Sequence, residues 1–164
     1  MAWLLALSYW IHLLATIIWV GGIALITLLA WPALQRGTLE ANQWWSMQRK
    51  FVLWANGSMV LLLITGFYQM TVDSNYAGFL TFDSTWAVAI LLKHIAFIGM
   101  VIITVYMQAV LYPAMARLAL LREQKPGAAA AESDKIQKRE ILLLRLNLIC
   151  AVLVLLFTAV ATAT

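Results

Sequence analysis

Charge is scarce in this chain of 164 residues: Lys, Arg, Asp and Glu make up 11% of it, against 64% hydrophobic residues and a mean hydropathy of +0.88. A soluble domain of this size cannot hide so much apolar surface, so composition alone places the chain in the membrane class. Cysteine is nearly absent. The single Cys150 lies in an apolar run, which excludes a disulfide within the chain and a thiolate zinc site. Also missing are a nucleophile beside a base, a carboxylate pair and a phosphate-binding loop, which argues against hydrolytic chemistry. A net charge of +4 with a pI near 9.5 would suggest nucleic acid for a soluble protein. Here the basic residues flank apolar runs, so they set orientation, and no nucleic-acid partner is expected.

Four apolar runs, roughly 3–34, 51–72, 85–116 and 141–163, are each long enough to cross about 30 Å of hydrocarbon at about 1.5 Å per residue. With their polar ends they predict helices over 3–34, 41–72, 84–121 and 132–163, in a single domain with a linker at 122–131. In that linker, Lys125-Pro126-Gly127 reads as a helix stop, and Ser133 or Asp134 as the cap of the last helix. The segment 35–50 carries Arg36, Arg49 and Lys50 against Glu40, and 117–145 carries seven basic residues against four acids. Between them, 71–84 has only Asp73 and Asp83. The positive-inside rule therefore places the two basic segments in the cytoplasm and both termini on the periplasmic side of a bacterial inner membrane. The opening Met1-Ala2-Trp3-Leu4 has no basic segment and leads to no small-residue cleavage site, so it reads as a retained helix. Trp31, Trp44, Trp45 and Tyr112 fall near the inner interface, and Trp3, Tyr68, Tyr76 and Trp86 near the outer one, where ring edges meet water. The fold class is an all-α membrane protein, an antiparallel bundle of four transmembrane helices.

The first and third helices share a frame. His12 precedes Pro32-Ala33-Leu34-Gln35-Arg36 by nineteen intervening residues, and His94 precedes Pro113-Ala114-Met115-Ala116-Arg117 by eighteen. An aromatic residue, Trp31 or Tyr112, stands before each proline. More weakly, Arg49-Lys50 leads to Asn56 and Thr65 as Lys138-Arg139 leads to Asn147 and Thr158. The bundle reads as a duplicated two-helix unit with a pseudo-twofold axis along the membrane normal.

His12 and His94 are the only histidines. Counted from Trp31 and Tyr112, both lie about 27 to 28 Å above the inner interface, at one level of the outer leaflet. Two imidazoles facing inward from diagonal helices suit a planar macrocycle, because neutral imidazole is a good axial ligand of haem iron. Either histidine taken alone could equally serve as an interhelical hydrogen bond. Along the same face run Ser8, Ala15, Trp19 and Gly22: the small residues would admit a flat ligand or close helix packing, and Trp19 would pack on it.

Lys93 is read as the only charge inside a span, with no Asp or Glu in a membrane core to pair with it. It either extends to the outer surface or meets a counter-charge on a ligand, for which an outward haem propionate or an anionic tetrapyrrole would serve. Thr65, Gln69 and Met70 are placed to line the same cavity. Asn56, Gln108 and Asn147 lie lower and read as links between helices, and Met59, Met100 and Met107 as core filler before copper ligands.

The run His12-Leu13-Leu14-Ala15-Thr16-Ile17-Ile18-Trp19-Val20-Gly21-Gly22, with Pro32-Ala33-Leu34 after it, resembles the opening of the CopD copper-resistance family. Arg49 to Thr65-Gly66 resembles that family's second helix and Trp86 to Leu92-Lys93 its third. The His and Lys frame is also similar to HemJ, a four-helix haem-containing protoporphyrinogen oxidase. That resemblance implies haem at His12 and a role in activity for Lys93. After the first proline, however, HemJ-like chains read Arg-Leu-Phe-Val-Tyr-His, where this chain has Ala33-Leu34-Gln35-Arg36. CopD proteins usually form a larger membrane unit than four helices, and His94 beside Lys93 belongs to neither pattern. The expected function is a membrane haem b protein with a redox or electron-transfer role, the haem lying between His12 and His94. The alternatives are a CopD-like copper-handling protein and a HemJ-like oxidase. Beyond lipid, the partners expected are a quinone, a tetrapyrrole or a redox protein, and a homo-oligomer is open.

Overall fold

The computed structural model describes residues 2–73, 84–121 and 126–163, all but the connections and cap residues of which are helical. Tyr76 and Asp83 of the predicted outer loop, and Lys125 of the predicted linker, lie outside them. The elements in chain order are α1 (Ala2–Leu25), a π-helical turn (Ile26–Ala30), α2 (Trp31–Gln35), α3 (Ala41–Val72), α4 (Thr85–Tyr106), a second π-helical turn (Met107–Leu111), α5 (Tyr112–Leu121) and α6 (Pro126–Thr162). They build four rods whose apolar lengths are 33, 30, 34 and 31 residues, each sufficient to cross a membrane. The chain is a multi-pass membrane protein.

Local sequence explains where the rods begin and break. Pro32 and Pro113 lack an amide proton, and their rings clash with the carbonyl four residues back, on Leu28 and Ala109. Both carbonyls fall inside the π turns, where the wider spiral carries them away from the ring. The two distortions occupy equivalent places in the two halves, each directly before the aromatic–proline step. That correspondence extends the internal repeat from sequence to backbone. Beyond α2, Gly37 adopts φ 72°, and the bonds Gly37 N→Leu34 O (3.1 Å) and Thr38 N→Ala33 O (3.0 Å) close a Schellman motif. Glu40 and Gln43 then start α3 with a capping box, and Ser84 caps α4 by accepting from Ala87 N at 3.1 Å.

The last rod departs from the expected linker and cap. Helix α6 begins at Pro126, so Ser133 and Asp134 lie inside it rather than at its cap. Proline is at ease in a first turn, and the four alanines that follow Gly127 are the strongest helix formers, which outweighs the single glycine.

The rods pack as two close pairs, α1 against α3 and α4 against α6, with the first rod also touching α6. Leu53, Trp54, Ile64, Ile102, Leu142 and Val152 point outward, the pattern of helices that are apolar all round and solvated by lipid. Inside, a lower core gathers Ile26, Trp31, Trp44, Met107, Leu111 and Leu144, and an upper one Ala15, Trp19, Ile23, Ala55, Met100 and Ala151. This corrects part of the aromatic belt: Trp31 and Trp44 are 3% and 2% exposed, core residues with rings edge to face at 5.7 Å. Trp86 is buried as well, against Met70 and Ala87. Trp3, by contrast, stands out from the bundle.

Candidate functional site

Helix α3 holds His12 in a defined protonation form. The Thr65 hydroxyl donates its one proton to the Leu61 carbonyl at 2.6 Å, so its oxygen can only accept from His12 Nδ1, 2.8 Å away. Neutral His12 therefore carries its proton on Nδ1 and its lone pair on Nε2. His94 reaches the same form through its own helix, since its Nδ1 lies 2.7 Å from the Ile90 carbonyl, which cannot donate. Each imidazole thus has Nδ1–H engaged by a protein oxygen, as metal-ligating histidines do.

Three consecutive residues of α3 fix the level of both rings. His12 meets Thr65 and comes within 3.5 Å of where a side chain on Gly66 would begin, while the ring of His94 lies 6.4 Å from that of Phe67. Positions 65 and 67 differ by about 3 Å along a helix axis. Helix α4, however, brings Lys93 within electrostatic reach of His12, while His94 sits against Phe67. No acidic residue forms an ion pair with Lys93 among the described residues. Lys93 is thus close enough for its charge to be felt at His12.

The other expected residues divide by level. Gln69 donates to Ser8 at 3.3 Å, closing the α1–α3 seam on the terminal side of His12. Ala15 and Trp19, 2% and 1% exposed, form the floor below it, where Trp19 meets Phe97 edge to face at 5.4 Å. The Trp19 indole N–H is buried there without an acceptor among the described residues. Gly22 belongs to packing rather than to this level, because a Cβ there would stand 2.0 Å from Phe51 Cε2. Met70 joins the core with Trp86. Asn56 and Gln108 exchange two amide bonds of 3.0 and 2.9 Å, and Asn147 donates to Thr104 at 3.2 Å, as expected of links between helices.

One buried polar cluster was not among the expected residues. Glu140 is 1% exposed and accepts from Gln48 Nε2 at 2.8 Å, while the Tyr112 hydroxyl donates to Gln48 Oε1. The signal was present in the sequence. Ile136, Glu140, Leu144, Asn147 and Ala151 recur at helical spacing, and all are buried. As one of four acids in the charged segment 117–145, Glu140 did not stand out as part of that stripe.

A family model described as copper resistance protein D, CopD, matches residues 45–161, from the second rod to the end of the fourth. The chain belongs to the CopD family. The match takes in Lys93, His94 and Thr65 and leaves the first rod, with His12, outside it. No match was found among the curated proteins or the solved structures. Membership makes this a membrane protein related to copper resistance. Among the described residues, though, no three His, Cys, Asp or Glu side chains gather as a metal site.

Proposed function

We propose that this CopD-family protein binds one b-type haem at the level of His12 and His94 and serves as a one-electron carrier in a bacterial inner membrane. Its termini would be periplasmic and its basic segments cytoplasmic. The observation that carries this reading is the state of His12: Nδ1–H is committed to Thr65, the lone pair is left on Nε2, and Lys93, with no acidic partner among the described residues, is close enough for its charge to be felt there. The donor chemistry fits haem. His12 and His94 would hold it through their imidazoles, with Lys93 balancing a propionate. When bound, the haem would supply a metal-centred one-electron couple. The protein's own residues fix the two tautomers, exclude water on the floor side with Trp19 and Phe97, and hold a positive charge beside the ligand.

A second reading, copper handling, is favoured by the family. Two neutral imidazoles suit cuprous ion. Against it, Lys93 would set a like charge near any bare cation at His12, whereas the carboxylates of haem turn the same ammonium into an attraction. The test is the cofactor content of protein purified from membranes without added metal. Haem in equimolar amount, lost in His12→Ala, supports the proposal. Copper without haem, lost in the same variant, replaces it with the second reading.

A further inference from the structure

The cluster around Glu140 takes no part in the imidazole site and lies at the opposite end of the bundle. Its carboxyl is 1% exposed, and Oε2 is buried with no hydrogen-bond partner among the described residues. Its surroundings are drawn from every rod. Gln48 and Trp44 come from α3, Tyr112 from α5, and Ile26, Ala30 and Trp31 from the first rod. Trp44 turns its indole N–H toward the same carboxyl from outside hydrogen-bonding geometry. Tyr112 is the other titratable side chain facing Glu140, and no Lys, Arg or His pairs with it among the described residues. Lys138 and Arg139, its neighbours on α6, are exposed.

A carboxylate so enclosed needs a charge to neutralise it. Small metal ions are poorly served, because the polar groups turned toward the Glu140 carboxyl, Gln48 Nε2 and the Trp44 indole, present N–H donors, and Gln48 Oε1 is already taken by the Tyr112 hydroxyl. Hard cations require several oxygens. The other buried oxygens without a partner among the described residues are the single hydroxyl of Thr27, on the first rod, and Asn147 Oδ1, seven residues further along α6 and about 10 Å away along the axis. A proton requires only the one open oxygen that is there.

Next to the cluster lies a cavity with about 20 Å³ open to a water-sized sphere, room for one water molecule. Gln48 and Tyr112 form part of its wall, together with Thr104, Gln108 and Asn147. The same two side chains thus line the cavity and connect to the carboxyl. We infer that Glu140, with Gln48 and Tyr112, is a proton-binding site inside the bundle, and that the adjoining cavity holds the water through which its proton exchanges. A hydronium ion delivers a proton to Oε2, giving a neutral carboxylic acid and water, while Oε1 keeps its bond from Gln48. Nothing else is made or broken, and the site is independent of what the imidazoles bind.

Infrared difference spectra of the full-length protein in lipid nanodiscs, recorded against pH, test this. Wild type should show a protonated-carboxyl C=O band that grows as pH falls and shifts in D₂O. Glu140→Gln should abolish the band, Glu140→Asp should displace it, and Gln48→Leu should move it by removing the donor to Oε1. Should Glu140→Gln fail to fold, the Glu140→Asp displacement and ¹³C-glutamate labelling of wild type carry the same test. A band unchanged in Glu140→Gln or Glu140→Asp, or a Glu140 carboxyl that stays ionised at every pH where the protein is folded, overturns the inference.

Discussion

Replacing Thr65 by valine keeps the shape of the side chain and removes the oxygen that accepts from His12 Nδ1. Two effects of different size follow. Bundle stability loses one interhelical hydrogen bond, worth about 0.6 kcal/mol on average in membranes and at most about 1.7. Wild-type yield and a slightly lower Tm are therefore expected. Ligand affinity should suffer more, because removing the group that orients a ligating imidazole typically costs about 10- to 100-fold. That corresponds to about 1.4 to 2.8 kcal/mol. The assay is transfer of haem from the purified protein to an excess of apomyoglobin, followed optically. Thr65→Val should release haem about 10 to 100 times more readily, and Thr65→Ser, which restores the hydroxyl, should return close to wild type. If Thr65→Val retains haem as firmly as wild type while His12→Ala loses it, the hydrogen bond does not prepare the imidazole and the reasoning fails.

Other substitutions separate packing from chemistry. Gly22→Val places atoms where the Phe51 ring lies and should cost about 1 to 3 kcal/mol in an unfolding titration, with Phe51→Ala in the same chain relieving part of it. Gln48→Leu strips partners from both Tyr112 and Glu140 and should destabilise by about 1 to 3 kcal/mol for each polar group left unpaired, read from the same titration. Lys93→Ala should keep its haem and shift the reduction potential downward, since a positive charge near the site favours the reduced state. Complete loss of pigment would instead make Lys93 a ligand. Reporter fusions should be active outside the cytoplasm after Thr164 and inside it at Gly127, and the reverse pattern would refute the orientation.

The four rods were legible because apolar length and charge-free spacing leave little choice in a membrane. That Asn56, Gln108 and Asn147 link helices was legible for a related reason, since a polar amide in an apolar rod needs a partner, although their pairing and the part of Thr104 were not. The start of α6 was not, because Pro126-Gly127 resembles a stop while a proline in a first turn is equally a beginning. The π turns escaped notice too: proline announces a distortion but not whether it is a kink, a break or a widened turn. Burial of Trp31 and Trp44 was hidden by their position beside charged loops, where an aromatic ring can face either lipid or protein. At the candidate site, Thr65 and Gln69 stood out in the sequence as polar residues of α3, and the structure sets them against His12 and Ser8. The sequence could not say which way α4 is rotated, and a 100° step separates Lys93 from His94 on a helix wheel. That rotation brings the charge of Lys93 near His12 and sets His94 beside Phe67.

The central claim, that two imidazoles hold one iron, is tested most directly by electron paramagnetic resonance of the oxidised purified protein, with optical spectra of the reduced form. Axial ligation by His12 and His94 predicts a six-coordinate low-spin signal and sharp α and β bands. His12→Ala and His94→Ala should each convert these to a high-spin form or lose the pigment. A low-spin signal that survives in His94→Ala would take that residue out of the site, and a colourless wild-type protein carrying copper would contradict the account as a whole.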